Sequence, residues 1–297
     1  MVDRLMASGE SDKANSEFVS RNFIQISDEE FTLFRTFIYN HFGINLTDAK
    51  RALLMNRLQK ILKRKGYTSF KQYYQSIQED HSKAEMSELI DAVSTNHTFF
   101  FRESAHFDFL VNRSLPELIP KLSVRGQKDL RVWCAASSTG EEPYVIAMLI
   151  MEYLGNDYGS WSAGVLATDI SNDALAKAIQ GVYPADRVAQ VPKKYQLSYF
   201  DKIGPDLFQV KEKLRKEVLY RRFNLMNERF PFKKPFHIIF CRNVMIYFDQ
   251  ATRSRLVNKL YDFTAPGGYL FIGNAETLGR NETNYTYIAP SIYKRLE

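Results

Sequence analysis

The sequence predicts an α/β protein built on a doubly wound, Rossmann-like parallel sheet, preceded by a small all-helical unit and interrupted by a small antiparallel β insertion. Three observations carry this. From Leu130 onward, short apolar runs alternate with helical stretches, the βαβ rhythm of a parallel sheet. Before residue 94 the periodic segments all have helical spacing, and between Gly181 and Asn224 the rhythm breaks at prolines. With 297 residues, 45% of them hydrophobic, the chain can bury one large core and a smaller one.

Taken in order, residues 1–20 are polar with scattered apolar side chains and are expected to form a disordered tail. Residues 21–93 form the helical unit. Ser27 caps a helix whose first turn carries Asp28, Glu29 and Glu30 and whose apolar stripe is Phe31, Phe34, Ile38 and Phe42. A second helix is expected from about Thr47 to Lys65, ending at Gly66, and two more over 69–79 and 82–93. Residues 94–129 are a linker, and 130–297 the sheet domain. Its expected strands are Leu130–Ala136, Trp161–Thr168, Phe236–Cys241 and Tyr269–Gly273, with helices from Pro143, Ser171 and about Gln250. The insertion, about 186–222, is expected to hold strand-like pieces at Leu207–Val210 and Val218–Phe223.

Composition bounds the function. The two cysteines, Cys134 and Cys241, sit in apolar strands without metal or redox spacing, which points to a reduced, cytoplasmic compartment and to no bound metal. The longest uncharged apolar run, Pro143–Met151, is far short of the roughly 20 residues that span a bilayer. The formal charge of +6 points to an acidic partner, which could be nucleic acid, anionic lipid or an acidic protein surface.

The turn after the first strand reads Ala135-Ala136-Ser137-Ser138-Thr139-Gly140-Glu141-Glu142-Pro143. A dinucleotide site needs several glycines at this turn, whereas one glycine and two acids would repel a pyrophosphate and suit a ligand bearing ammonium and sulfonium charge. The same acids would also complement the helix dipole, so the loop alone leaves both readings open. Asp169 ends the second strand, where a carboxylate can accept from both hydroxyls of a ribose or cap the following turn. Arg242 and Asn243 follow an apolar strand at its carboxyl end, the ligand edge of such sheets.

Four segments, Ser94-Thr95-Asn96-His97-Thr98-Phe99-Phe100-Phe101-Arg102-Glu103, Ala136 to Tyr144, Ala167-Thr168-Asp169-Ile170, and Phe240-Cys241-Arg242-Asn243-Val244-Met245-Ile246-Tyr247-Phe248, resemble the chemoreceptor glutamate methyltransferase (CheR) family. The likeness runs from about residue 25 to the C-terminus. It implies an S-adenosylmethionine-dependent protein-glutamate O-methyltransferase that esterifies glutamates on the cytoplasmic helices of chemoreceptors in chemotactic adaptation, releasing S-adenosylhomocysteine. It further implies that Asn96, Thr98, Arg102, Glu142, Asp169, Asn224, Leu225, Arg242 and Asn243 contact the cofactor, with Arg102 and Tyr247 orienting the acceptor. His97 and Phe99 receive no role, and Phe99, Phe100 and Phe101 read mainly as core. In some family members the inserted sheet grips a short peptide at the receptor's C-terminus; here its Gly204-Pro205-Asp206 turn is shorter.

Between Lys50 and Lys71 there are eight lysines and arginines and no acid. Lys50, Arg57 and Arg64 recur every seven residues, Lys60 lies beside them, and Leu54, Leu58, Ile61 and Leu62 take another face. The stripe is a solvated face or, with the resemblance, a docking surface for glutamate-rich receptor helices. The expected protein is a monomer that works at receptor arrays without entering the membrane or binding nucleic acid. A nucleic-acid methyltransferase and a non-catalytic S-adenosylmethionine-binding scaffold are the alternatives.

Overall fold

The computed structural model describes residues 23–279 and 283–297, so the expected tail at 1–20 lies outside the described residues. The chain divides into two compact units.

The first unit is helical. Helix α1 (Asp28–Phe42) opens with a reciprocal capping box, in which the Ser27 N–H donates to Glu30 Oε2 at 2.9 Å and the Glu30 N–H donates to Ser27 Oγ at 3.1 Å. Residues of α1 up to Tyr39 belong to this unit, and 40–45 group with the second. A 3₁₀ turn (Asp48–Lys50) leads into α2 (Arg51–Lys65), which stops where Gly66 takes φ +74° and the Tyr67 N–H reaches back to Leu62 O. Helices α3 (Phe70–Glu79) and α4 (Ala84–Val93) complete the unit. Phe34, fully buried, meets the rings of Phe70, Tyr73 and Tyr74, and Leu54, Leu58, Ile61 and Leu62 are buried as their spacing predicts.

The second unit opens with helices where a linker is expected: α5 (Ala105–Phe109), a π-helical turn (Leu110–Ser114) and α6 (Leu115–Val124). It then builds a seven-stranded sheet ordered β6-β2-β1-β7-β8-β10-β9. The strands are β1 (Val132–Cys134), β2 (Val165–Asp169), β6 (Val218–Arg222), β7 (Phe236–Cys241), β8 (Thr264–Ile272), β9 (Thr286–Ala289) and β10 (Ile292–Lys294). The first five in spatial order run parallel, β10 lies antiparallel to β8, and β9 antiparallel to β10. The chain runs outward from β1 through β2 to β6, then returns to the other side of β1 with β7. That reversal puts a crevice at the carboxyl ends of β1 and β7.

Alternating side chains feed two cores on opposite faces of the sheet. Val132, Cys134, Ile238 and Phe240 join one with helix α7 (Glu141–Leu154), while Trp133, Ile239 and Cys241 join the other with α12 (Gln250–Asp262). Helix α7 starts two residues earlier than the expected Pro143, with Gly140 as its N-cap.

The insertion differs from expectation in its strands. Val218–Arg222 is not part of it: this segment pairs in parallel with β2 and forms the sheet's edge. The separate three-stranded antiparallel sheet is β3-β5-β4, formed by β3 (Val182–Pro184), β4 (Phe200–Lys202) and β5 (Leu207–Val210). The sequence hides β3 because three residues before a helix carry no readable period. Helices α8 (Asn172–Gln180), α9 (Ala185–Val188), α10 (Lys193–Tyr199) and α11 (Glu212–Arg215) connect these pieces.

Candidate functional site

Three loops meet at the carboxyl edge of the sheet: those after β1, β2 and β7, joined by segment 96–103. Ser137 N–H donates to Thr168 O at 2.9 Å, Ser138 N–H to Asp169 Oδ2 at 2.8 Å, and Ser138 Oγ–H to Asn96 O at 3.1 Å. Gly140 has φ +97°, and a Cβ there would stand 2.8 Å from both Ala178 Cβ and Tyr220 Oη, so close approach as well as conformation demands glycine. Phe101, Glu103, Ser138 and Asn243 all hold positive φ, between 48° and 59°. Clustered strain of this kind marks a geometry that the surroundings impose, as functional sites do.

Arg242 is the centre of the charge network. It is 4% exposed. One terminal nitrogen pairs with Glu142, and the other donates to Glu103 Oε2 at 2.9 Å and to Arg102 O at 2.6 Å. Burial opposes its charge, but Glu142 and Glu103 outweigh that and raise its pKa. Burial likewise acts against the Glu103 carboxylate, yet bonds from Arg242 and Asn243 hold its pKa below the usual range. Two carboxylates face one guanidinium, so the group keeps one negative charge. His106 stands beside it, its pKa pushed down to about 4 by burial and by Arg242, so it is neutral at pH 7. Burial, with Glu142 next, pushes the Cys134 thiol well up, and its sulfur donates to Glu142 at 3.2 Å.

The structure brings most of the predicted residues to this edge. Asp169 is 9% exposed, and its two oxygens accept from the Ser138 and Ser171 N–H groups at 2.8 and 2.9 Å. The Asn243 N–H donates to Glu276 Oε2 at 3.0 Å and its Nδ2 to Glu103 Oε1 at 3.1 Å. The carbonyl of buried Thr98 accepts from Arg187, which also stands 3.9 Å from Glu141. Arg102 donates from Nη1 to His97 O at 2.8 Å and lies 5.9 Å from the centre of the Phe99 ring. Tyr247 ends a 3₁₀ turn (Met245–Tyr247) and its carbonyl accepts from Asn45 N–H at 2.8 Å.

Two predicted contacts are more committed to the fold. Asn224 donates to His41 O at 2.7 Å and accepts from Met226 N–H at 2.9 Å, and Leu225 is buried in the second core. Glu141 is buried, which raises its pKa, and it accepts from Thr139 Oγ at 2.6 Å. Phe100 is fully buried against Tyr183 and Phe200, at 4.9 and 5.5 Å, and is core as expected, whereas Phe101 is half-buried and stacks on Tyr195 against that core.

The basic stripe is partly neutralised within the first unit. Arg64 pairs with Glu88, Lys65 with Glu85 and Glu88, and the Arg57 guanidinium donates to Val93 O. Lys60 is exposed, and Lys50 is half-buried.

Sequence reasoning missed Glu103, Tyr183 and Glu276. Glu103 was visible beside Arg102, but its partners Arg242 and Asn243 lie 139 and 140 positions away. Tyr183 donates to Thr139 O at 2.7 Å from the unread strand β3.

The edge fits a polar, cationic ligand: the group holds an excess negative charge, and the buried Ser137 Oγ and Arg242 Nε have no hydrogen-bond partner. These are donors and acceptors held back from the fold at the place where α/β sheets bind nucleosides.

Comparison with known proteins agrees with the two-unit organisation. Residues 29–94 match the profile of the CheR methyltransferase all-alpha domain, and residues 96–293 that of the CheR methyltransferase SAM binding domain. A chemotaxis protein methyltransferase of Borreliella burgdorferi is 44% identical over 272 residues, covering 92% of this chain and 96% of that protein. The chemotaxis protein methyltransferase of Escherichia coli is 34% identical over 273 residues, covering 91% and 92%, and chemotaxis protein methyltransferase 1 of Pseudomonas aeruginosa is 35% identical over 275 residues, covering 91% and 98%. Both domain profiles, in the order the fold requires, and identity along nearly the whole length place this chain in the CheR methyltransferase family.

Proposed function

We propose that this chain esterifies glutamate side chains on the cytoplasmic helices of chemoreceptors, giving γ-glutamyl methyl esters and serving adaptation in chemotaxis. The observation that carries the reading is the buried Glu103–Arg242–Glu142 network at the carboxyl edge of β1 and β7, with its excess negative charge, in a chain matched over 96–293 by a SAM binding domain. S-adenosylmethionine, when bound, supplies a methyl group activated on a sulfonium. Glu142, Asp169, Arg242 and Asn243 would hold it, with Asn96, Thr98 and Arg102 reaching it from segment 96–103 and Asn224 and Leu225 flanking the adenosine.

A free glutamate has a pKa of about 4.3, so the acceptor is already a nucleophile at pH 7 and no residue has to remove a proton. The chain's task is alignment, and alignment with water excluded can contribute up to roughly 7–11 kcal/mol. Arg102 and Tyr247 are assigned to orient the incoming carboxylate. Lys50, Arg57, Lys60 and Arg64 would attract the glutamate-rich receptor helix, with Lys60 and Arg64 the exposed ones among them.

The test is transfer of a tritiated methyl group from S-adenosylmethionine to a receptor cytoplasmic fragment, with nucleic acid offered in parallel. Base-labile label on the receptor fragment is the expected product. Label on nucleic acid would replace this reading by a nucleic-acid methyltransferase, and cofactor binding without transfer to either would leave a scaffold.

A further inference from the structure

Resting on that reading, we infer that Glu276 is a positioning residue for methyl transfer, its carboxylate fixing the turn that presents Arg242, Asn243 and Tyr247. Glu276 follows β8 and is 4% exposed. Its Oε2 accepts from the Gly273 N–H at 2.6 Å and from the Asn243 N–H at 3.0 Å, and its Oε1 accepts from the Ile246 N–H at 3.2 Å. The Met245 N–H faces the same carboxylate. One side chain thus clasps the ends of β7 and β8 and caps the 3₁₀ turn that carries Tyr247.

What it clasps is a strained turn. Asn243 holds φ +56°, which a non-glycine residue keeps only when its surroundings impose it. Packing leaves no slack on the opposite side: a Cβ at Gly273 would stand 2.4 Å from Asn243 Nδ2 and 2.8 Å from its backbone nitrogen. Burial raises the Glu276 pKa while the backbone donors oppose it, so this carboxylate is kept where charge is costly. Acceptors on both oxygens are what the site needs. A glutamine could serve the Asn243 side or the Ile246 side, but its NH₂ would face a donor on the other.

The experiment measures three quantities on Glu276→Gln, Glu276→Ala, Gly273→Ala and Tyr285→Phe: S-adenosylhomocysteine affinity by calorimetry, kcat and KM for a receptor fragment, and thermal midpoint. Tyr285→Phe is the structural control, since it breaks the buried hydroxyl pair with Thr264 at 2.5 Å and leaves the Glu276 hydrogen bonds in place. Glu276→Gln should lose at least about tenfold in product affinity or kcat, the factor one charge-assisted hydrogen bond carries, and Glu276→Ala should lose more. Gly273→Ala strains the same turn from the other side with the carboxylate intact, and should fall in the same direction. Tyr285→Phe should lower the midpoint and leave affinity and kcat unchanged. Should Glu276→Gln stay within about twofold of the parent, or fall no further than Tyr285→Phe at matched stability, the inference is overturned whatever Gly273→Ala does. If the Glu276 variants do not fold, Gly273→Ala decides alone. A parent protein that binds no S-adenosylhomocysteine would instead remove the proposed function.

Discussion

Arg242→Met should be among the most damaging single substitutions in this chain, and the network around it sets the size. The Arg242 side chain is 1% exposed, and its partners Glu103 and Glu142 are each 13% exposed. Removing one member of a buried pair leaves an uncompensated charge and costs about 3–5 kcal/mol. Here one guanidinium serves two carboxylates and the Arg102 carbonyl, so the upper end of that range is expected, against a typical total stability of about 5–15 kcal/mol. The pH dependence has a definite sign. Glu103 has its folded pKa depressed, so in the parent it contributes stability that is present above the ordinary glutamate pKa and lost as pH falls through the depressed value. Arg242→Met removes the largest group depressing it, so the variant's deficit should shrink as pH falls from 7 toward the carboxylate range. Arg242→Lys, a point charge without the two-pronged fork, should lie between parent and Arg242→Met. Urea titrations at pH 7 and at about pH 4, just below the ordinary glutamate pKa, measure all three. A loss under about 1 kcal/mol at pH 7, or a deficit that does not change with pH, would refute a buried, mutually dependent network.

Asp169→Ala should weaken S-adenosylhomocysteine binding by roughly 1.5–3 kcal/mol in calorimetry, and because the Ser138 and Ser171 N–H groups lose their acceptor it should also lower the thermal midpoint. An unchanged affinity in a folded Asp169→Ala protein would take Asp169 out of the site. Reversing Lys50, Lys60 and Arg64 to glutamate should reduce receptor methylation and its ionic-strength dependence while leaving product affinity intact. Arg57 is left out because its bond to Val93 O makes its loss a folding defect. Parent-rate methylation by this triple variant would make the stripe a solvated face. The inserted sheet has three-residue edge strands, one of them ending in Pro184, which has no N–H to donate, so little edge is offered for adding a receptor peptide. Tail-deleted and full-length receptors should therefore be methylated at equal rates, and micromolar binding of a receptor C-terminal pentapeptide would contradict this.

What the sequence revealed and what it hid divide along physical lines. Helix caps were legible because each is a local pattern: Ser27 with Glu30, Lys65 followed by Gly66, Ser171 ahead of α8. The buried strands β1, β2 and β7 were legible as apolar runs between turn residues, although β1 is only three residues long. Strands β9 and β10 were missed because they are only four and three residues long, and β6 was assigned to the wrong sheet because its partner β2 lies far earlier in the chain. At the site, Glu142 was singled out by the resemblance, while the placement of Asp169, Arg242 and Asn243 at strand ends was legible in the sequence. Glu103 and Glu276 were not, because an acid's role there depends on the N–H groups and the guanidinium it meets, and those come from distant strands.

The kind of polar group collected at this edge is itself informative about the proposed chemistry. An enzyme that must move a proton at neutral pH needs a group whose pKa lies near 7 and whose bonds leave it free to exchange. Four groups here are tuned away from that range, His106 held neutral with a pKa near 4, Arg242 raised, Glu103 lowered and Cys134 raised by burial, while burial moves the Glu141 and Glu276 carboxyls upward. Their bonds run instead to backbone: Arg242 to the Arg102 carbonyl, Asp169 to two N–H groups, Glu276 to the turn after β7, and Arg187 to Thr98 O. Charge in this site serves to hold four left-handed residues and three loops in one arrangement. A carboxylate acceptor that arrives ionised asks for nothing more than such an arrangement, whereas an amine or hydroxyl acceptor would also need a base.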